Sequence, residues 1–158
     1  MGGGTVLFRN CAGGIVFSGE KVLLIKNDKD EWVMPKGVVR EGRHRREVAT
    51  ERVRLEAGVE ARVLGAAGET CYEFYSMTRR RPVCNRVQWY LMAAETDVCA
   101  PSAREGFFDG GFFDRDDALS RITYTQDRSL LAVAFAMYQE MRREENTAAP
   151  LTTAGVQM

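Results

Sequence analysis

The sequence predicts an α/β (α+β) fold, a mixed β-sheet held between helices in an α/β/α sandwich, and three observations lead there. Short runs of β-branched and aromatic residues fill the first third of the chain. A single charged helical pattern follows, from about His44 to Ala57, and stops at Gly58. Further strand-like runs then lead to a closing amphipathic helix over about Gln126 to Glu144. The 158 residues, 45% of them hydrophobic and 28% charged, suit one domain over residues 1–144, followed by a disordered tail over 145–158 with little to pack.

In chain order, Val6 to Phe17 and the apolar run Lys21 to Lys26 are set apart by Ser18-Gly19-Glu20 and read as a hairpin. Asn27 to Asp30 is a turn, and Glu31 to Met34 is a short strand ended by Pro35. In the helix that follows, Val48, Ala49, Val53 and Ala57 are available for packing. Val59 to Leu64, Glu69 to Ser76 and Asn85 to Ala94 are strands by their β-branched and aromatic content, the last two joined by the basic loop Thr78 to Pro82. Phe107 to Phe113 is interrupted by Gly110-Gly111, and Asp114 to Arg121 reads as a short helix.

Charge and cysteine usage narrow the function classes. The formal net charge is zero, so no global field favours nucleic acid or a membrane surface. Locally, Lys36 to Arg54 carries seven basic residues against three acidic ones, a net +4. The four cysteines are widely spaced and His44 is the only histidine, which points away from a zinc site or a disulfide framework and toward reduced thiols in a cytoplasmic protein. Met1 to Val6 lacks the basic and apolar regions of a signal peptide, and Val6 stands where a myristoylation motif needs Ser or Thr. No apolar run reaches the ~18 residues of a membrane span.

The stretch from Met34 to Val59 carries the chemistry. Five residues separate Gly37 from Arg43, seven more lead to Glu51, and the run Glu51-Arg52-Val53-Arg54-Leu55-Glu56-Ala57-Gly58-Val59 follows. This spacing resembles the Nudix box, G-x5-E-x7-R-E-U-x-E-E-x-G-U with U apolar. Gly37, Val53, Glu56, Gly58 and Val59 match it, as do the flanking Pro35-Lys36-Gly37 and Glu41-Gly42. The upstream A-G-G-I-V-F, V-L-L-I-K and W-x-x-P-K-G patterns extend the resemblance. So do Phe74-Tyr75-Ser76, V-x-W-Y-L-M, Gly111-Phe112-Phe113 and Thr123-Tyr124-x-x-Asp127-Arg128, which are similar to the branch that cleaves dinucleoside or diphosphoinositol polyphosphates. Roughly residues 5 to 142 are covered, and the resemblance implies a Nudix-like sandwich and a phosphorylated substrate.

The mismatches fall on the reactive positions: Arg43, Arg52 and Leu55 stand where the family has Glu, and Glu51 where it has Arg. Residues 52, 55 and 56 share about 100° of a helix surface, where three carboxylates would offer magnesium or manganese its hard oxygen ligands. Here only Glu56 remains. A guanidinium about 4 Å from a divalent ion would be repelled by roughly 8 kcal/mol at an effective dielectric near 20. Glu56 is therefore either a single weak ligand or the partner of Arg52 one turn earlier. Arg43 and Glu51 reverse both signs of a family ion pair and read either as a brace of opposite polarity or as unrelated surface charges.

No metal is expected at this face; if one binds, Glu56 would be joined by Glu105 or Asp109. Lys36 and Arg40 lie where family members contact substrate phosphates, Arg79 to Arg81 are further basic candidates, and Tyr75 and Tyr124 are candidate stacking residues. Trp89 and Phe74 read as core, and His44 as exposed. Two functions follow. One is a binder of a phosphorylated small molecule, held by Lys36, Arg40 and Arg52 with weak or no metal-dependent hydrolysis and no cofactor. The other is an active pyrophosphohydrolase using magnesium or manganese on nucleoside diphosphate derivatives. A scaffold using only the fold's surface is a third reading. Oligomeric state and ligand identity are not legible.

Overall fold

The computed structural model describes residues 5–157, with side chains through residue 147, so the reading of the first four residues lies outside it. Seven strands and three helices follow one another as β1 (Leu7–Ser18), β2 (Lys21–Asn27), β3 (Trp32–Val33), β4 (Lys36–Val38), α1 (Arg45–Ala57), β5 (Ala61–Ser76), β6 (Arg81–Ala94), a 3-10 turn (Ala103–Glu105), β7 (Phe107–Phe113), α2 (Arg115–Arg121) and α3 (Thr125–Gln157).

β1 and β2 form the expected hairpin, with Phe17 opposite Val22, but they stay paired only at the turn. β1 then runs parallel to β6 from Leu7/Val83 to Phe17/Ala93, while β2 pairs along its length with β7. The sheet order is β3-β2-β1-β6-β5, with β4 on β1 and β7 on β2. A parallel pair needs a long connection, and here β2 to β5 with helix α1 provides it.

Both faces of this mixed sheet are covered, which is why its central strands read as unbroken apolar runs. Alternate residues serve alternate layers. Ile15, Phe17, Leu24, Trp89 and Leu91 meet Ala118 of α2, Ile122 at its C-cap, and Leu131, Ala134 and Phe135 of α3. Val16, Leu23, Ile25, Tyr90 and Met92 meet Val48, Ala49, Val53 and Ala57 of α1. The Phe17 ring stacks on Tyr138 at 4.3 Å and meets Phe135 edge-on at 5.0 Å.

Several boundaries differ from expectation. β4 was not predicted, because Pro35 and Gly37 signal a turn; pairing of Lys36–Val38 with Cys11–Gly13 makes it a strand. The two strands expected over 59–64 and 69–76 are one, since register shifts at Val63/Gly65 and Ala66/Gly68 absorb the glycines as irregularities. Gly110 and Gly111 do not break β7; they pair with Ile25 and Leu24. α3 runs on from Glu144 to Gln157; Met158 and the side chains beyond 147, where the expected tail lies, are outside the described residues.

The cysteine expectation is corrected. Cys71 and Cys84 are joined in a disulfide, with Cα atoms 6.6 Å apart, while Cys11 and Cys99 are free. Pairing Glu73 with Cys84 and Cys71 with Arg86 sets the two cysteines diagonally across neighbouring strands. The sequence spacing carries no sign of this, because the register decides it. No helix among the described residues is long and apolar enough to cross a membrane.

Candidate functional site

α1 turns Val48, Ala49, Val53 and Ala57 into the core, and the same periodicity buries Glu56, which is only 4% exposed. Its partner is Arg52, one turn earlier. Arg52 Nε donates to Glu56 Oε2 at 2.8 Å, and Arg52 Nη2 donates to Glu105 Oε1 at 2.6 Å. One guanidinium thus holds two carboxylates. The aliphatic stem of Arg52 reaches this position by crossing Gly37, where a Cβ would stand 2.7 Å from both Cγ and Cδ. A glycine at 37 in β4 therefore permits this close approach.

Glu105 is delivered by the end of the same helix. Gly58 caps α1 in the left-handed region at φ 67, donating to the Arg54 carbonyl. The next two free carbonyls, Ala57 and Glu56, accept from the amides of Ala100 and Ser102 at 2.8 and 3.0 Å. Chain 100–102 is thereby tied to the helix, and the Ser102 side chain caps the 3-10 turn that ends at Glu105.

The electrostatics follow from burial. Glu56 is pushed up to about 7 by loss of solvent, against the lowering effect of the Arg52 hydrogen bond, the Arg52 charge, and the Lys36 charge and backbone amide. For Arg52 burial opposes the charge, but the carboxylates of Glu105 and Glu56 overcome it and its pKa is raised. These residues do not fit a divalent cation: among the described residues Glu56 and Glu105 are the acids paired with Arg52 and already share its fixed positive charge, and Leu55 contributes no oxygen. Among the described residues, no three His, Cys, Asp or Glu side chains converge on a common point.

Beside this cluster a cleft of about 1010 Å³ opens, with Lys36 and Glu56 at one end. Tyr72, Phe74 and Asn85 form the β5–β6 wall, and Glu31, Tyr124, Gln126 and Asp127 border it from the β2–β3 turn and the start of α3. Asn85 is buried and satisfied on both sides, accepting from Arg9 Nε at 2.9 Å and donating to Tyr72 Oη at 3.2 Å. Lys36 Nζ lies 5.5 Å from the centre of the Tyr72 ring, and the Arg9 guanidinium 5.8 Å from that of Phe74. The Tyr124 hydroxyl donates to Glu31, whose other oxygen accepts from Asn27. That bond pushes Tyr124 up to about 12, and with Asn27 it lowers Glu31. Burial raises the Asp127 carboxyl, with Lys36 opposing.

The other predicted residues scatter. Arg40 does not border the cleft; after β4 the chain swings away through Gly42 at φ 83, and Arg40 lines a separate cavity of about 920 Å³ with Asn10, Arg43, His44, Arg46 and Tyr90. Arg43 Nη2 lies 3.3 Å from Glu51 Oε2, with both side chains exposed. Tyr75 is not in the cleft, whose β5 residues are Tyr72, Glu73 and Phe74. Phe74, expected in the core, is 42% exposed there. Asp109 lies opposite Lys26 in β7, and its carboxylate accepts from the Gly110 amide. Arg81 donates to the Thr5 carbonyl, His44 is exposed, and Trp89 is buried with its indole donating to Thr70 at 2.8 Å.

Sequence reasoning missed Glu31, Tyr72, Asn85 and Gln126 as wall residues. No motif marks them. Asp127 stood inside the quoted Thr123-Tyr124-x-x-Asp127-Arg128 pattern, which is the one signal that pointed to this wall.

Comparison with known proteins places this geometry. The NUDIX domain family model matches residues 7–133. Among solved structures, the binary complex of a C. elegans Ap4A hydrolase superposes with a TM-score of 0.66 at 17% identity, covering 84% of this chain and 98% of that one. A NUDIX-family hydrolase from Clostridium perfringens gives 0.68 at 11% identity, covering 82% and 97%. An ADP-ribose pyrophosphatase from Streptococcus suis gives 0.62 at 16% identity, covering 82% and 91%. At these identities the likeness is one of fold.

Proposed function

The chain belongs to the NUDIX domain family, and from that premise we propose that it binds a phosphorylated small molecule, a nucleotide or related polyphosphate, with weak or no metal-dependent hydrolysis. The observation that carries this reading is the single guanidinium of Arg52 held between Glu56 and Glu105. Two carboxylates, Glu56 lining the cleft and Glu105 on the same guanidinium, would repel an anionic ligand. A divalent ion is one way to cancel that repulsion, and Arg52 is another that is part of the chain.

Arg52 is engaged by its two acids, and the basic residues lining the cleft are Lys29 and Lys36, of which we assign Lys36, beside Glu56, to the ligand's phosphates. Tyr72, Phe74 and Tyr124 offer ring surface and a hydroxyl to the remainder of the ligand. Arg40, turned into another cavity, is left out of this assignment.

Calorimetry with a nucleotide and inositol-phosphate panel in chelator tests the reading. At least one ligand should bind without metal, more weakly as salt rises, since exposed phosphate contacts are screened over about 10 Å at 0.1 M. Lys36→Ala should weaken that binding. The alternative, an active pyrophosphohydrolase, draws on the convergence of Glu56 and Glu105, which would leave two adjacent carboxylates if Arg52 swung away. Metal-dependent phosphate release that is abolished by Glu56→Gln would replace the binder reading with that one.

A further inference from the structure

The wall of the cleft is held in an unusual way. β5 is the edge of the sheet, and from Cys71 to Tyr75 its residues are exposed. This stretch carries Tyr72 and Phe74 into the cleft, yet no helix packs it down as α1 and α3 pack the central strands. Apart from its ladder with β6 and the side-chain contacts of Tyr72 with Asn85 and Lys36 and of Phe74 with Arg9, two ties hold its backbone, and both act at Cys71. The Cys71 amide donates to Gln126 Oε1 at 2.7 Å, joining the strand to the start of α3. The Cys71 sulfur is bonded to Cys84, which is itself buried.

The pairing register puts Tyr72 opposite Asn85, between the pairs Cys71/Arg86 and Glu73/Cys84. Successive strand residues point to opposite faces, so the disulfide lies behind the surface on which Tyr72 and Asn85 bond to each other. The two residues differ in exposure: Cys71 is exposed, whereas Cys84 is 1% exposed, so attack from solvent is directed to Cys71.

We infer that the Cys71–Cys84 disulfide is a reversible thiol-modification site that locks the aromatic wall of the cleft, with a dithiol reductant as its reaction partner. The thiolate of the dithiol attacks Cys71 Sγ, and the S–S bond breaks with its electron pair leaving on Cys84 Sγ, which takes up a proton. The second thiolate of the reductant then attacks the mixed disulfide, releasing Cys71 as a thiolate and closing the reductant's own disulfide. Two electrons pass from dithiol to protein. In the dithiol state the ribbon beyond Thr70 keeps its ladder, the Gln126 bond and the Tyr72–Asn85 bond but loses the cross-link, and Tyr72 and Phe74 are held less firmly. The effect on ligand affinity rests on the proposed binding function; the lock itself does not.

The test follows hydrogen exchange of the full-length protein in glutathione disulfide and in dithiothreitol, with alkylation in denaturant to count thiols. Oxidised protein should label at Cys11 and Cys99 only, and reduced protein at Cys71 and Cys84 as well. Reduction should speed exchange at residues 72–76 by roughly tenfold or more while leaving 87–91 protected. The Cys71→Ser, Cys84→Ser double variant should match the reduced protein in either buffer. ADP titrated in chelator should bind the oxidised form more tightly, by about tenfold. The lock is overturned if Cys71 and Cys84 alkylate in oxidising buffer, or if exchange at 72–76 is unchanged by reduction. If exchange shifts as expected but ADP and the rest of the panel bind neither form, the lock stands and the binding function falls.

Discussion

Glu56 is the residue on which the electrostatics of the site turn. It is buried, and its carboxyl titrates near 7 in the folded chain against 4.5 for the ordinary side chain. Between those values the folded protein holds a proton that the unfolded chain has released, so stability falls as pH rises from about 4.5 to 7 and levels off above. The expected decline is roughly 1–3 kcal/mol, the upper figure set by the size of the shift. Glu56→Gln removes the titrating group and should flatten that window in urea denaturation at pH 5, 6 and 7.5. An unchanged profile in the variant would assign the titration to another group.

Among the elements, α1 is braced at both ends, and the two braces differ in kind. At its entrance Arg43 and Glu51 meet at 3.3 Å, but their side chains are 42% and 37% exposed. The partial burial that would have made this pair costly to lose is missing, so a double-mutant cycle with Arg43→Glu and Glu51→Arg should return a coupling below ~1 kcal/mol. At its exit Gly58 sits at φ 67, with the Ala100 carbonyl 2.9 Å from where a Cβ would be. Gly58→Ala should therefore cost about 1–2 kcal/mol by urea denaturation, from the left-handed backbone and the displaced chain together. Because residues 100–102 carry Glu105 to Arg52, the same variant should alter the Arg52 Nε resonance, whereas the Arg43 cycle should leave it alone.

At the scale of the molecule, the cleft belongs to no single element. The β2–β3 turn, the β5–β6 ribbon and the start of α3 each supply part of it, and Tyr124 joins the first to the last through Glu31. The phenol of Tyr124 stands at about 12 for that reason, above the ordinary 10.0. Ultraviolet titration should show a late step for Tyr124, absent in Tyr124→Phe and moved earlier by Glu31→Gln. Loss of that late step without any change in ligand affinity would confine the clasp to a structural role.

Local sequence determined the elements with strong periodicity, and with them the family. The unbroken apolar runs of β1 and β2, the i, i+4 spacing that sets Arg52 above Glu56, and Gly58 as a helix stop are all local rules, readable because they involve residues within a turn or a short run of each other. The loss of a three-carboxylate face is legible in the same way, since helix geometry alone brings 52, 55 and 56 together. Contacts between distant segments were not legible. Glu105 reaches Arg52 across 53 positions because the helix end captures residues 100–102, and Cys71 reaches Cys84 because of a strand register. Tyr72 and Phe74, rather than Tyr75, line the cleft, a choice that β5 cannot make until β6 and α3 define which part of it borders the cleft. Periodicity specifies which residues share a face; only the packing of one element on another decides what that face meets.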